Sequence, residues 1–196
     1  MIRASSWLWS RRHSSCCDYV TQNPPVPEVM AAWHDLYMLV GSASATLVGL
    51  LFVAASVGSR FYTRDRYPAV RAFLSPSVVH FTSVLVACLI AVAPIRSSKI
   101  LAGLLGSDGL FGLLYAVHVW RNIIRHSFTT VIDLEDRVWY AVLPAVGYVI
   151  MIAASVTFPL EVYAGCGVLA LAMIVLLLVG IRNAWDMTVF TIIRTD

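Results

Sequence analysis

Three ionisable side chains lie inside otherwise apolar stretches of the sequence and are its strongest candidates for chemistry. Asp108 interrupts the apolar run 100–120, His118 lies later in the same run, and His80 lies inside the run 72–95. An ionisable group at membrane depth costs roughly 2.5 kcal/mol or more unless it is neutral, paired or hydrated. Groups kept at that depth often exchange protons or bind ions, so these three residues form a candidate intramembrane polar site.

A helical rise of about 1.5 Å per residue predicts successive depths for these groups. Counted from residue 100, Asp108 lies about 12 Å and His118 about 27 Å from the edge of the span. Counted from Pro94, His80 lies about 21 Å from the same edge. The order suits a descending set of proton-exchanging groups. The structural alternative is that Asp108 caps an interrupted helix or accepts hydrogen bonds from Ser107 and neighbouring amides, and that each histidine has one hydrogen-bond partner.

Glycines surround Asp108 at intervals of three residues, at Gly103, Gly106, Gly109 and Gly112. Glycine lowers helix propensity, so the sequence permits an unwound stretch over residues 107–109. Broken helices at membrane depth usually line cavities or binding sites. The pattern therefore fits either a narrow packing groove along the helix or an interrupted helix around Asp108.

A second group of small residues, Gly41, Ala45 and Gly49, recurs every four positions and falls on one helix face. Small residues let two membrane helices approach closely, which gains packing contacts that lipid does not supply. The three residues form a candidate helix-packing face. It suits packing within the same chain or association with another helix, including a second copy of the chain.

Enzyme chemistry finds little support in the sequence. There is no HExxH, no GxSxG and no glycine-rich phosphate loop ending in Lys-Ser or Lys-Thr. Asp133, Glu135 and Asp136 fit a solvated loop, and the four cysteines form no CxxC pair. The basic residues form no run of five, which argues against nucleic acid as a partner. We expect no catalytic, cofactor-binding or metal-binding residue, and no cofactor.

The elements that must position these residues are membrane-spanning helices. The chain has 196 residues, of which 59% are hydrophobic and 13% charged, whereas soluble domains carry about 25% charged residues. Apolar runs long enough to cross a bilayer are 36–59, 72–95, 100–120, 138–160 and 162–181. We predict an all-α integral membrane bundle of about five transmembrane helices over residues 35–193, in contact with the lipid bilayer.

Prolines refine these predicted spans. Ser75 and Pro76 fit a helix start, which would open the second span there. Pro144 should kink the fourth span near its beginning, because it removes a backbone hydrogen bond. After Arg182, apolar residues at helical spacing predict a short separate helix along the membrane surface.

Basic residues in the connections predict the orientation. Nine Lys and Arg residues fall on one side of the five-span arrangement and two on the other, apart from three in the N-terminal segment. The positive-inside rule then places the N-terminus outside and the C-terminus in the cytoplasm. Residues 1–34 are rich in Ser, Arg and Pro and are predicted to be a disordered tail. Its arginines conflict with an external N-terminus, so we predict that translation starts at Met30.

The first span resembles the opening of a family of uncharacterised bacterial multi-pass inner-membrane proteins. The likeness rests on Trp33, His34 and Tyr37, on the VGSASATLVGLLFVA run over 40–54, and on SPSVVHF at 75–81. An Arg-Asn-Ala-Trp-Asp ending at 182–186 also matches, so the likeness covers about residues 30–190. The resemblance implies a bacterial inner-membrane location and transfers no catalytic residue.

Two functions fit these features. The first is a non-enzymatic structural or regulatory partner of another membrane complex, favoured by the small-residue face and the lack of catalytic motifs. The second is a small proton- or ion-coupled permease or channel that uses Asp108, with His80 as a second exchange site.

Overall fold

The fold is an all-α bundle, as the sequence predicts. The computed structural model describes residues 26–58, 67–126 and 138–193. These ranges contain no β-strand, and the helices within them are joined by short connections at 93–97 and 158–161. Asp133, Glu135 and Asp136 lie outside the described residues.

Within the described ranges, five α-helices follow one another. They are α1 Val26–Gly58, α2 Tyr67–Val92, α3 Ser98–His126, α4 Leu143–Thr157 and α5 Val162–Ile193, with a π-helical turn, Val138–Val142, directly before α4. Four stretches are long and apolar enough to cross a membrane: Val26–Val57, Ser98–Arg121, Val138–Thr157 and Val162–Asp186. A shorter apolar stretch, Pro76–Val92, lies in α2. By length and composition, the chain is a multi-pass membrane protein.

The helix contacts define two ends of the bundle. The Tyr37 hydroxyl donates a hydrogen bond of 3.1 Å to the backbone carbonyl of Cys166, so α1 and α5 begin at the same end. This is also the end where α2 stops and α3 starts, and we name it the Pro94 end. The opposite one, where Trp139 and the last turns of α5 lie, is named the Arg182 end.

A continuous core runs between the two ends. Lipid offers no hydrophobic drive for helix association, so close side-chain packing must hold these helices together. The largest fully buried members of the core are Tyr37, Phe81, Leu101, Leu105, Tyr148, Met151, Phe158, Leu169, Met173 and Leu176.

The predicted tail 1–34 is too long, because α1 already begins at Val26. Proline is tolerated in the first helical turn, where its missing N–H has no intrahelical partner, so Pro27 does not prevent this start. Glu28 lies in the same turn and favours it through the helix dipole. Residues 1–25 lie outside the described residues, and a translation start at Met30 stays a prediction.

The prolines behave differently in the two helices that contain them. Pro76 does not open α2, which begins nine residues earlier at Tyr67, so Pro76 lies inside the helix. Neighbouring helices can satisfy the backbone carbonyl that such a proline leaves unpaired, which is why prolines occur inside membrane helices. Pro144 lies in the first turn of α4, directly after the π-helical turn. A π-helical turn thus precedes Pro144 at the beginning of this span, and the kink at Pro144 stays a prediction.

Two other predicted interruptions are wrong. Helix α3 runs unbroken through residues 107–109, because its glycines allow α4 to pack closely instead of unwinding the backbone. Helix α5 continues through Arg182 to Ile193, so no separate surface helix begins there. Arg182 forms a salt bridge with Asp186 one turn later, which suits an unbroken helix.

Candidate functional site

Four polar side chains from three helices meet inside the bundle. His80 and Ser83 belong to α2, Asp108 to α3 and Tyr148 to α4. The His80 Nδ1 atom lies 2.9 Å from the Tyr148 hydroxyl, which donates a bond of 3.5 Å to the Ser83 hydroxyl. The Ser83 side chain also lies close enough to the Asp108 carboxyl to interact with it. We name these four residues the polar cluster.

Local packing explains why the cluster forms. His80 and Ser83 are three positions apart and therefore share one face of α2. Gly112 of α3 leaves room for the Tyr148 ring, because an added Cβ at Gly112 would overlap that ring. The ring in turn lies 5.7 Å from the His80 ring, measured between centroids. The lack of a side chain at Gly112 thus places the Tyr148 hydroxyl between His80 of α2 and the Asp108 carboxyl of α3.

Each end of the cluster carries an unpartnered polar atom. His80 is only 1% exposed, and its Nε2 atom is buried with no hydrogen-bond partner in the described part of the chain. Asp108 Oδ2 is likewise buried and unpartnered among these residues. Buried polar atoms normally find partners, since a missing bond costs about 1–3 kcal/mol. Both atoms are therefore positions where a proton or a polar ligand would be stabilised.

The connected groups can pass a proton in either direction. When Asp108 is ionised, Ser83 donates to it, Tyr148 donates to Ser83, and the Nδ1–H tautomer of His80 donates to Tyr148. When Asp108 carries the proton, each hydroxyl can reverse its bond, and Nδ1 of neutral His80 accepts. Passing from the first state to the second takes up one proton at His80 Nε2 and delivers one to Asp108, while the bonds between the four groups are satisfied in both states, which a proton relay requires.

The structure brings together two of the three polar residues that the sequence singled out. Asp108 and His80 are linked through Ser83 and Tyr148, although they lie at different depths. His118 is exposed on α3 and lies about 15 Å from Asp108 along the helix axis, so it stands outside the cluster. His80 is therefore the deepest of the predicted proton-exchanging residues that belongs to the polar cluster.

The predicted helix-packing face divides into two parts. Gly41 is buried, and a Cβ added there would lie 3.0 Å from the Cβ of Cys88 on α2. Ala45 and Gly49 are exposed, and a Cβ at Gly49 would meet nothing within 4 Å. Positions four apart drift by about 40° around a helix, so the face turns away from the bundle after Gly41.

Sequence reasoning missed Tyr148 and Ser83. A usable signal existed on α2, where Ser77, His80 and Ser83 recur every three residues in an apolar segment and therefore share one helix face. Tyr148 gave no comparable signal, because a tyrosine in an apolar run is equally consistent with core packing. Its role depends on contact with α2, which only the folded chain provides.

The described ranges contain no group of three or more His, Cys, Asp or Glu side chains that could hold a metal ion. The polar cluster contributes a single carboxyl and a single imidazole, which suits proton exchange better than tight metal binding. Comparison with known protein families, curated proteins and solved structures finds no match.

Proposed function

We propose that this chain is a small membrane permease that exchanges protons through the polar cluster. The observation that supports the proposal is the hydrogen-bonded connection from His80 through Tyr148 to Ser83, whose side chain lies next to the Asp108 carboxyl. Two ionisable groups at different depths are joined by hydroxyls that can reverse their hydrogen bonds. A relay of this kind carries protons without a large movement of the helices that hold it.

A purely structural network explains the cluster less well. A polar network that only fixes helix packing stabilises the fold most when every polar atom in it has a hydrogen-bond partner. Here the outermost atoms, His80 Nε2 and Asp108 Oδ2, lack partners among the described residues. An ionisable residue inside the membrane region is, moreover, costly to keep without a function.

The direct test is proton flux in liposomes that contain the purified protein. A pH gradient is imposed with valinomycin and potassium to balance charge, and a trapped pH-sensitive dye reports the flux. Asp108→Asn should abolish proton flux while the protein still inserts and stays monodisperse, because the amide keeps the shape but cannot exchange the proton. His80→Ala should reduce flux less.

The matched control is Ser107→Ala. Ser107 neighbours Asp108, but it is exposed and donates to the backbone carbonyl of Leu104, 2.7 Å away. Its loss should leave flux unchanged. Unchanged flux in Asp108→Asn, or no flux of protons, sodium or potassium in the wild type, would remove this proposal.

The second candidate is a non-enzymatic partner of another membrane complex. This role is favoured by α1, whose exposed residues after Ala45 include Gly49, Phe52 (64% exposed) and Val53 (59% exposed). The small residues leave a shallow surface that a transmembrane helix of a partner, or of a second copy, would fill. Gly49→Leu should abolish co-purification of such a partner, whereas retention of every partner would contradict this role.

The proposal also includes the location and the orientation of the chain in the cell. We place the chain in a bacterial inner membrane, with the Pro94 end outside and the Arg182 end in the cytoplasm. The bias of Lys and Arg towards the connections at the Arg182 end supports this orientation. Neither role requires the chain to be an enzyme.

A further inference from the structure

Two more buried polar side chains lie nearer to the Arg182 end and have no role in the polar cluster. Ser77 of α2 is 1% exposed and Asn183 of α5 is fully buried. The Ser77 hydroxyl and both amide atoms of Asn183 lack a hydrogen-bond partner within the ranges that the structure describes. A buried asparagine with neither its donor nor its acceptor satisfied is uncommon, and it needs an explanation.

These two side chains lie on facing helices, each about one turn beyond the same interhelix contact. Phe81 of α2 packs against Gly180 of α5, because a Cβ on that glycine would touch the Phe81 ring. Ser77 lies four residues before Phe81, and Asn183 lies three residues after Gly180. Since α2 and α5 run in opposite directions, both positions are displaced by about one turn towards the Arg182 end. The same spacings keep them on the contacting faces.

Together with the polar cluster, these residues form a polar column along α2. At about 1.5 Å per residue from the Pro94 end, Asp108 lies at roughly 12 Å, His80 at 21 Å, Ser77 at 26 Å and Asn183 at 32 Å. The unpartnered atoms therefore continue from the cluster in one direction. They stop next to Arg182, whose guanidinium carbon lies 5.4 Å from the Trp139 ring centroid.

The core differs in the opposite direction. Between Asp108 and the Pro94 end, Leu101, Leu105, Ala154 and Phe158 are all buried, and the buried Tyr37 hydroxyl is paired with the carbonyl of Cys166. No unpartnered buried side-chain atom lies at these levels in the described part of the bundle. Among these residues, the unpartnered atoms therefore lie at Asp108 and on its Arg182 side.

We propose that the column of Asn183, Ser77 and His80 is the route by which water and protons reach the polar cluster from the Arg182 end. Water can donate and accept hydrogen bonds, so it satisfies the Asn183 amide, the Ser77 hydroxyl and His80 Nε2 alike. The inference rests on the proposed proton exchange for its purpose. Access of water to the column, however, is measurable without any flux.

The test is chemical modification of a cysteine placed in the column. Cys16 and Cys17 are replaced by serine, and Ser77→Cys changes a single atom. A trimethylammonium methanethiosulfonate reagent, which does not cross lipid, is applied to sealed vesicles of each orientation. It reacts with the thiolate, and a thiolate forms only where water reaches the thiol. Peptide mass then identifies the modified cysteine.

We expect Ser77→Cys to be modified from the Arg182 end only. Thr82→Cys is the matched control, because Thr82 is exposed on the surface of the same helix and would place the thiol in lipid. It should stay unmodified, as should the native Cys88, which is buried on the Pro94 side of the cluster. Adding Asn183→Leu should abolish modification of Ser77→Cys, because leucine closes the entrance with an apolar side chain.

The inference would be overturned if, in folded protein, the cysteines of Ser77→Cys and Asn183→Cys were modified no faster than the cysteine of Thr82→Cys. So would modification from the Pro94 end. If Ser77→Cys is modified as expected while the wild type carries no proton flux, the route stands and the proposed function fails. If the wild type carries proton flux while Ser77→Cys stays unmodified, the proposed function stands and the route fails.

Discussion

At the scale of residues, glycine decides how the polar cluster is built. The sequence shows Gly103, Gly106, Gly109 and Gly112 at regular spacing, and spacing alone suggests an unwound helix or a packing groove. The structure separates their roles. Gly106 and Gly109 face Ser155 and Ile152 of α4, with an added Cβ at 3.1 Å and 3.0 Å, whereas a Cβ at Gly103 meets nothing within 4 Å.

Gly112→Ala should therefore destabilise the fold, and Gly103→Ala should not. The alanine methyl at Gly112 would overlap the Tyr148 ring, and overpacking of this kind typically costs about 1–3 kcal/mol. The same change at Gly103 should be neutral or stabilise α3 by up to about 1 kcal/mol. Thermal unfolding in detergent, followed by circular dichroism, compares the two variants. Equal stability of both would contradict the packing described for Tyr148.

Residue types alone identified only part of the site. Asp108 and His80 were predictable, because ionisable groups inside apolar runs are costly and stand out. Ser83 and Tyr148 were not, because their connection depends on how α2 and α4 meet across Gly112. His118 shows the opposite error, since its depth in the sequence suggested a role that its exposed position on α3 does not support.

At the scale of elements, the positions of the helices agree closely with the apolar runs, but the residues at which the helices begin and end do not. Local signals such as Pro76, Arg182 and the prolines before Glu28 suggested boundaries that the folded chain ignores. Helix ends depend on tertiary packing as well as on local residues. Val29, for example, is buried in the core, which holds the first turns of α1 in place although the preceding residues disfavour a helix.

Helix α1 should tolerate a large side chain at Gly49 and reject one at Gly41. A leucine at Gly41 would collide with Cys88, whose Cβ lies 3.0 Å from the added Cβ, whereas Gly49 faces open space. Gly41→Leu should lower the yield of monodisperse protein in size-exclusion chromatography, and Gly49→Leu should leave it unchanged. Aggregation of both variants would show that α1 packs along its whole length.

At the scale of the whole molecule, we predict five crossings, which would place the two chain ends on opposite sides of the membrane. Helix α2 has 26 residues, about 39 Å of helix, so its length allows a crossing, although its apolar stretch covers only Pro76–Val92. A cytoplasm-dependent reporter at the C-terminus and an export-dependent reporter next to Arg96 should both be active. If a cytoplasm-dependent reporter instead worked both near Lys99 and near Arg121, α3 would not cross and the chain would have four spans.

The asymmetry of the bundle gives the whole molecule a direction. Among the described residues, buried side-chain atoms without hydrogen-bond partners continue from Asp108 towards the Arg182 end and not towards the Pro94 end. This property arises from α2, α3, α4 and α5 together and is invisible in any single apolar run. Asn183 illustrates the point, because its sequence position next to Arg182 suggests a polar interface and its burial is known only from the fold.

The most direct test of the central claim is proton flux in Tyr148→Phe compared with Tyr37→Phe. Each change removes one buried tyrosine hydroxyl and keeps the ring, but only Tyr148 joins His80 to Ser83. Tyr37 donates to Cys166 outside the cluster, and losing either hydrogen bond should cost a similar free energy of unfolding, about 1 kcal/mol. We predict that Tyr148→Phe abolishes proton flux in liposomes and that Tyr37→Phe retains it. Equal flux in the two variants would contradict a relay through the polar cluster.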